Sequence, residues 1–279
     1  MSGRPRTGRG EAARGSGANP AGRRRRPRRA HLEVFSDPAA LAVAAAAAFA
    51  SLAREVVARR GRFVVALAGG STPLALYEQL AAAHRADAPW AHVHVFLSDE
   101  RFVPPGDPAS NYGRARETLL DPVGVPAAQR HPFPTEHGDP EAAVRAHEAA
   151  LRAFFGSSGP AFDLVLLGLG ADGHTASLFP RSPARRLRAR WVAAVEAPVP
   201  PPRRLTLTLP AINASARVWF LVTGAAKAAA LRQTLQGPRQ PSLWPAQAVH
   251  PAHGEVVWWV DRAAAGLLPR TPDWRPTGR

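Results

Sequence analysis

Short apolar runs of strand length alternate with longer helical stretches along most of the chain, and few architectures accept that pattern. Strands are expected at 31–35, 63–67, 92–97, 162–167, 191–195, 205–209, 218–222 and 256–260. Helices are expected over 37–60, 73–83, 111–120, 140–155 and 225–235. Strands joined by crossover helices run parallel and are covered on both sides. The expected fold is therefore α/β: a doubly wound, largely parallel sheet with helices on both faces. The apolar run 162–167, closed by Gly168, reads as a strand buried on both faces. In such sheets ligands bind beyond the carboxyl ends of the strands, so chemistry is to be sought in the loops that follow them. The length fits one domain, expected at 31–265 between tails at 1–30 and 266–279.

The net charge of +15 invites a nucleic-acid reading, but it is unevenly spread. Residues 1–30 hold ten arginines against one acid, Glu11, which is more than half of the excess. This Gly/Arg/Pro-rich arm is too poor in apolar residues to fold and is expected to be a disordered extension or the product of a misassigned start codon. Non-specific binding of nucleic acid or another polyanion is its functional alternative. The arginine pairs followed by the alanine-rich stretch imitate a twin-arginine export signal. Against that, Glu33, Asp37 and Pro38 stand where an apolar core should begin. Leu41, Ala45, Ala48, Leu52 and Val56 also recur at helical spacing. No apolar run is expected to reach the ~18 residues of a membrane span, so the expectation is a cytoplasmic protein without membrane contact. The chain has no cysteine, which removes disulfides and thiolate chemistry. Of its 36 lysine and arginine side chains a single one, Lys227, is lysine.

Three polar clusters follow expected strands. In Gly69-Gly70-Ser71-Thr72-Pro73, two glycines permit a sharp turn and Pro73 suits a first helical turn. A helix start of this kind offers N–H groups to an anion, although a plain strand-to-helix turn looks the same. In Ser98-Asp99-Glu100-Arg101, followed by Ser110-Asn111-Tyr112, the acids and the arginine could hold sugar hydroxyls or phosphate. A solvated loop with a local ion pair is equally compatible. The third cluster spans 168–180, and its start, Gly168-Leu169-Gly170-Ala171-Asp172-Gly173, satisfies the loose dinucleotide pattern, with Glu196 downstream as a ribose contact. Asp172 argues against that reading, because it puts a carboxylate where a pyrophosphate would lie. His174 reads better as a general base held by a nearby carboxylate: its ordinary pKa of roughly 6.5 is close to the pH at which a base must work. It stands between two residues of helix-initiating type on a post-strand loop. No G-x-S-x-G elbow occurs. His92 and His94 share one expected strand face without a third ligand at metal spacing.

Taken together and in order, Ala68-Gly69-Gly70-Ser71-Thr72-Pro73, Ser98-Asp99-Glu100-Arg101-Phe102-Val103-Pro104 with Ser110-Asn111-Tyr112, and the stretch 168–180 resemble the 6-phosphogluconolactonase family. Arg204-Leu205-Thr206-Leu207-Thr208-Leu209-Pro210 and Thr223-Gly224-Ala225-Ala226-Lys227 extend the resemblance, which covers about 31–262. It implies a fold shared with glucosamine-6-phosphate deaminases and hydrolysis of 6-phospho-D-glucono-1,5-lactone in the oxidative pentose phosphate pathway. It implies no cofactor, no metal and a phosphorylated sugar lactone as the small-molecule partner. By position, His174 is expected to activate water and Asp172 to orient it. Gly69, Gly70, Ser71, Arg101, Arg204 and Lys227 are expected to surround the substrate, with Asp99 placed among them. Backbone N–H groups near Gly170 are the expected oxyanion donors.

Two neighbouring readings remain. The related deaminases imply a carboxylate a few residues after the histidine, where this chain has Ala176-Ser177-Leu178-Phe179-Pro180. A sugar-phosphate sensor on the same fold would bring a helix-turn-helix segment, which 1–30 cannot form. The segment 181–190 holds five arginines and is more basic than the family leads one to expect. It is either an exposed loop under the arginine bias or a source of positive field for an anionic substrate.

Overall fold

The computed structural model describes residues 31–156 and 159–269. The arm 1–30 and residues 270–279 lie outside the described residues, so the expectations placed on them are not addressed. Among the described residues nine strands follow in chain order: β1 (His31–Phe35), β2 (Phe63–Leu67), β3 (Val93–Leu97), β4 (Asp99–Arg101), β5 (Leu164–Leu167), β6 (Val192–Glu196), β7 (Arg203–Leu207), β8 (Arg217–Val222) and β9 (Glu255–Asp261). The α-helices are α1 (Pro38–Arg60), α2 (Ser71–Ala83), α3 (Asn111–Ala115), α4 (Pro140–Phe155), α5 (Leu209–Asn213) and α6 (Ala228–Gln236). Six strands form one sheet in the order β1-β9-β8-β5-β2-β3, every neighbouring pair parallel. All residues of β2 and β5 are buried, as central strands covered on both faces must be.

Local chemistry sets the element boundaries. Asp37 caps α1 by accepting from Ala40 N at 2.8 Å, Pro38 opens the helix, and Gly61 closes it in the left-handed region. Asp163 delays the expected strand at 162–167 until Leu164. Its carboxylate accepts from Val64 N at 2.9 Å and Arg60 Nη1 at 2.6 Å. The expected helix 225–235 is a 3-10 turn, Ala225–Lys227, running into α6. The last described turn, Ala264–Leu267, crosses the boundary expected after 265. By length and composition alone, α1 is apolar enough to cross a membrane, contrary to the expectation that no run is. Leu41, Ala45, Phe49, Leu52 and Val56 are nevertheless buried, and the helix packs on α2, β9 and β2.

A second sheet, β4-β7-β6, is antiparallel and was not expected. Its register pairs Asp99 with Thr206, Glu100 with Leu205 and Arg101 with Arg204. The chain leaves β2 toward β3 but leaves β5 toward β8, so the carboxyl ends of β2 and β5 flank the crevice where the winding reverses.

At the other end of β3, His92 lies in the turn Trp90–His92 rather than in the strand, and His94 Nδ1 sits 3.2 Å from His131 Nε2. His131 stacks on Phe96 at 4.3 Å, and His147 of α4 packs on Phe133 at 4.2 Å. Burial pulls His131 down to about 4 and His147 to about 3. Unfolded imidazoles take protons near pH 6.5, whereas these resist until far lower pH. The unfolded state therefore binds more protons as pH falls, and folded stability drops from about pH 6.5 toward the folded values. Thermal melts are expected to show Tm declining over this window, with a shallower acid limb in His147→Met, which fills similar volume without titrating. An unchanged slope in the variant would place the acid sensitivity elsewhere.

Candidate active site

A cavity of about 220 Å³ opens at the carboxyl ends of β2, β3, β5 and β8, and each contributes one wall. The wall after β2 is Gly69 to Thr72. Gly70 has φ +104°, and α2 begins at Ser71 without a capping side chain, so its leading N–H groups are left for another acceptor. A Cβ on Gly69 would lie 1.9 Å from Asn111 Oδ1, so the missing side chain is what admits Asn111 to the cavity. Asn111 donates from Nδ2 to Asp99 O at 2.9 Å and to Asp99 Oδ1 at 3.3 Å.

The second wall separates two adjacent acids that look equivalent in sequence. Asp99 lines the cavity, and its Oδ2 accepts from buried Ser177 Oγ at 2.6 Å. Glu100 turns away. Its carboxylate accepts from Arg101 N, Asn111 N and Tyr112 N, all at 2.7 Å, and from Ser110 Oγ at 3.2 Å. Burial pushes Glu100 up to about 7 against the pull of those backbone donors. The local ion pair of the solvated-loop alternative does not form among the described residues; Arg101 Nη1 donates instead to Ala109 O at 2.7 Å, and its Nε is buried without a partner. Arg204, directly opposite in the sheet, is 5% exposed and donates from Nε to Pro201 O at 2.6 Å. Burial and the neighbouring Arg101 lower the Arg204 pKa, with the Asp99 and Glu100 carboxylates opposing them in part. Like charges opposite one another in a sheet are unfavourable unless something neutralises them.

The third wall follows β5. Asp172 Oδ1 lies 2.6 Å from His174 Nδ1 and also accepts from His174 N at 3.1 Å. Burial raises the Asp172 pKa, but the hydrogen bonds from His174 outweigh it and hold the carboxyl below its ordinary value. An ionised carboxylate only accepts, so Nδ1 carries the proton and Nε2 presents its lone pair. Among the described residues, His174 Nε2 has no hydrogen-bond partner. A Cβ on Gly170 would meet His174 Nδ1 at 2.1 Å and Asp172 Oδ1 at 2.5 Å, so the pair packs directly on that glycine. Gly173 has φ +80° and packs on Trp244.

The folded loop narrows the choice of oxyanion donors and removes the dinucleotide reading. Gly170 N donates to His174 O at 2.8 Å and Gly173 N to Gly170 O at 3.0 Å, so both amides are consumed in holding the turn and are not free for an oxyanion. No helix starts after His174: Thr175 Oγ1 donates to Gly168 O and Leu178 N closes a turn on Thr175 O. A glycine loop that opens no helix lacks the N-terminal N–H groups that a pyrophosphate needs, and Glu196 lies in β6 outside the cavity, so the dinucleotide pattern is incidental.

The fourth wall brings Thr223 and Lys227. Thr223 Oγ1 is 2.7 Å from Thr72 Oγ1, linking the β2 and β8 ends. Lys227 occupies the N-cap of α6 and forms no ion pair among the described residues. Gly69, Gly70, Ser71, Asp99, Arg101, His174, Arg204 and Lys227 thus line one cavity, while Asp172 stands behind His174. Sequence reasoning left Asn111, Thr72, Ala176 and Thr223 without a place in it. Ala176 was traceable only in three dimensions, by its φ of 47°, a strained value for a residue with a side chain. Among the described residues no group of three or more His, Asp and Glu has a metal-binding arrangement.

A switch-point crevice lined by Arg101, Arg204 and Lys227, none of them in an ion pair among the described residues, suits an anionic small molecule. The chain belongs to the glucosamine-6-phosphate isomerase/6-phosphogluconolactonase family, whose model matches residues 36–258. It is 43% identical over 217 residues to a 6-phosphogluconolactonase of Synechocystis, covering 77% of this chain and 88% of the relative. It is 41% identical over 245 residues to one of Mycobacterium tuberculosis, covering 85% and 98%. The solved 6-phosphogluconolactonase of Trypanosoma brucei superposes with a TM-score of 0.77 at 29% identity, over 86% of this chain and 99% of that one. A monomeric glucosamine-6-phosphate deaminase at 24% identity shares the fold, with a TM-score of 0.72 over 85% and 99%.

Gly170→Ala is expected to lower kcat by roughly 10²-fold, as misplacing a reacting group does, with an unchanged circular dichroism spectrum. Full activity in that variant would show that the imidazole need not lie against Gly170.

Proposed function

We propose that this chain hydrolyses 6-phospho-D-glucono-1,5-lactone to 6-phospho-D-gluconate, the lactone-opening step of the oxidative pentose phosphate pathway, in the cytoplasm. The observation that carries the reading is the oriented Asp172–His174 pair opening on the same cavity as Arg101, Arg204 and Lys227. Those cations call for an anionic ligand, and the imidazole supplies a base for a neutral carbonyl centre. His174 Nε2 takes a proton from water as the oxygen attacks C1 of the lactone. Asp172 stabilises the imidazolium, which returns the proton to the ring oxygen when the C1–O5 bond breaks. One water is consumed and one carboxylic acid forms, so no covalent enzyme intermediate is required. Lys227, the paired arginines and the leading N–H groups of α2 receive the phosphate. Asp99, fixed by Ser177 and Asn111, accepts from sugar hydroxyls. The deaminase alternative needs a carboxylate among residues 176–180, and none is there.

In an assay with freshly generated lactone, His174→Ala is expected to lower kcat by roughly 10²–10⁴, the range for a positioned acid–base group. Near-normal turnover would make His174 structural. Lys227→Ala is expected to lose about 1.5–3 kcal/mol in kcat/KM for the phosphorylated lactone, the size of a charge-assisted hydrogen bond, and to leave slow turnover of unphosphorylated gluconolactone unchanged. Equal losses on both substrates would remove the phosphate role.

A further inference from the structure

A separate cavity of about 330 Å³ is lined by Arg185, Arg186, Arg188, Arg239 and His250 among others. It shares no lining residue with the cavity around His174. Four arginines line it, three of them from the unusually basic segment 181–190, and none forms an ion pair among the described residues; Arg188 Nη1 donates to Arg185 O and Leu187 O, both at 3.0 Å. Arg190, beyond the turn Pro183–Arg186, does find a carboxylate, Glu141, at 3.3 Å. The arginines of the cavity differ from it in having none.

Arg185 is the least expected of the set. It is 8% exposed, and its Nε is buried with no partner; the guanidinium's hydrogen bond is Nη1 to Pro241 O at 3.1 Å. A buried guanidinium with a vacant donor is costly unless an acceptor reaches it. Arg239 donates to Gln247 O at 3.0 Å and lies 3.4 Å from His250 Nε2, so its fork is held beside the cavity rather than free in solvent. The remaining walls, Leu209, Pro210, Pro241 and Ala248 among them, are largely aliphatic. The aromatic ring among the lining residues, the His250 imidazole, lies against Arg239. A set of planar cations with no carboxylate partner among the described residues fits a compact ligand carrying several phosphate charges.

We propose that this arginine cavity is a second anion site, which binds a small multiply charged phosphate such as a diphosphate or a sugar bisphosphate. Arg185 supplies the interior contact, and Arg186 and Arg239 close over the outer charges. Isothermal titration of the full chain with inorganic diphosphate tests it. The comparison is between the unaltered protein, Lys227→Ala, and the double variant Arg186→Ala/Arg239→Ala, whose altered side chains are exposed and outside the catalytic machinery. Saturable binding is expected to persist in Lys227→Ala and to weaken at least tenfold in the double variant, with lactone kcat/KM unaltered there. Binding by the double variant equal to that of the unaltered protein would overturn the proposal: it would trace the anion to the catalytic cavity if Lys227→Ala lost it, and to the arginine arm if all three bound alike. Absence of saturable binding in the unaltered protein would overturn it as well.

Discussion

Because the winding of the parallel sheet reverses between β2 and β5, two strand ends carry no crossover between them and leave a crevice. Every candidate group enters through that opening. The ends of β2, β5 and β8 present their following turns directly, and the short antiparallel sheet leans in from the side to bring Asp99, Arg101 and Arg204. Central strands with fully buried apolar residues keep those ends fixed, so the polar turns beyond them are held in place by the core beneath.

Within the crevice, absence of side chains matters as much as their presence. Gly69 lets Asn111 reach Asp99, and Gly170 lets the His174–Asp172 pair lie against the backbone. The hydrogen bond between Asp172 and His174 puts the shared proton on Nδ1, so that in the neutral imidazole Nε2 is the unprotonated nitrogen. Glu100 has a scaffolding role instead, because four donors converge on it and tie the turn after β3 to the start of α3. Adjacent acids in the chain thereby serve the cavity and the scaffold separately.

The main sheet was legible because its central strands are apolar on both faces and its first helix repeats Leu41, Ala45, Leu52 and Val56 at helical spacing. Site positions were legible for a related reason, since glycine and polar clusters stand directly after strands, where such sheets bind ligands. The antiparallel sheet was not. Asp99-Glu100-Arg101 has no apolar periodicity, and it becomes a strand by pairing with residues about a hundred positions away. The opposition of Arg101 and Arg204 and the burial of Glu100 follow from that pairing, so no local pattern announces them. Asp163 interrupts an apolar run and was invisible as a boundary until Arg60 and Val64 N were seen to hold it. The consumed amides of Gly170 and Gly173 likewise became apparent only in the folded turn.

The central claim is that water, activated by His174, attacks the lactone without a covalent intermediate. A single turnover in ¹⁸O-labelled water, with enzyme in excess over freshly generated 6-phosphogluconolactone, tests it most directly. The account predicts one ¹⁸O atom in the carboxylate of the first-turnover product and none in the protein. Unlabelled product, with ¹⁸O recovered in an enzyme carboxylate such as Asp99 or Asp172, would contradict it.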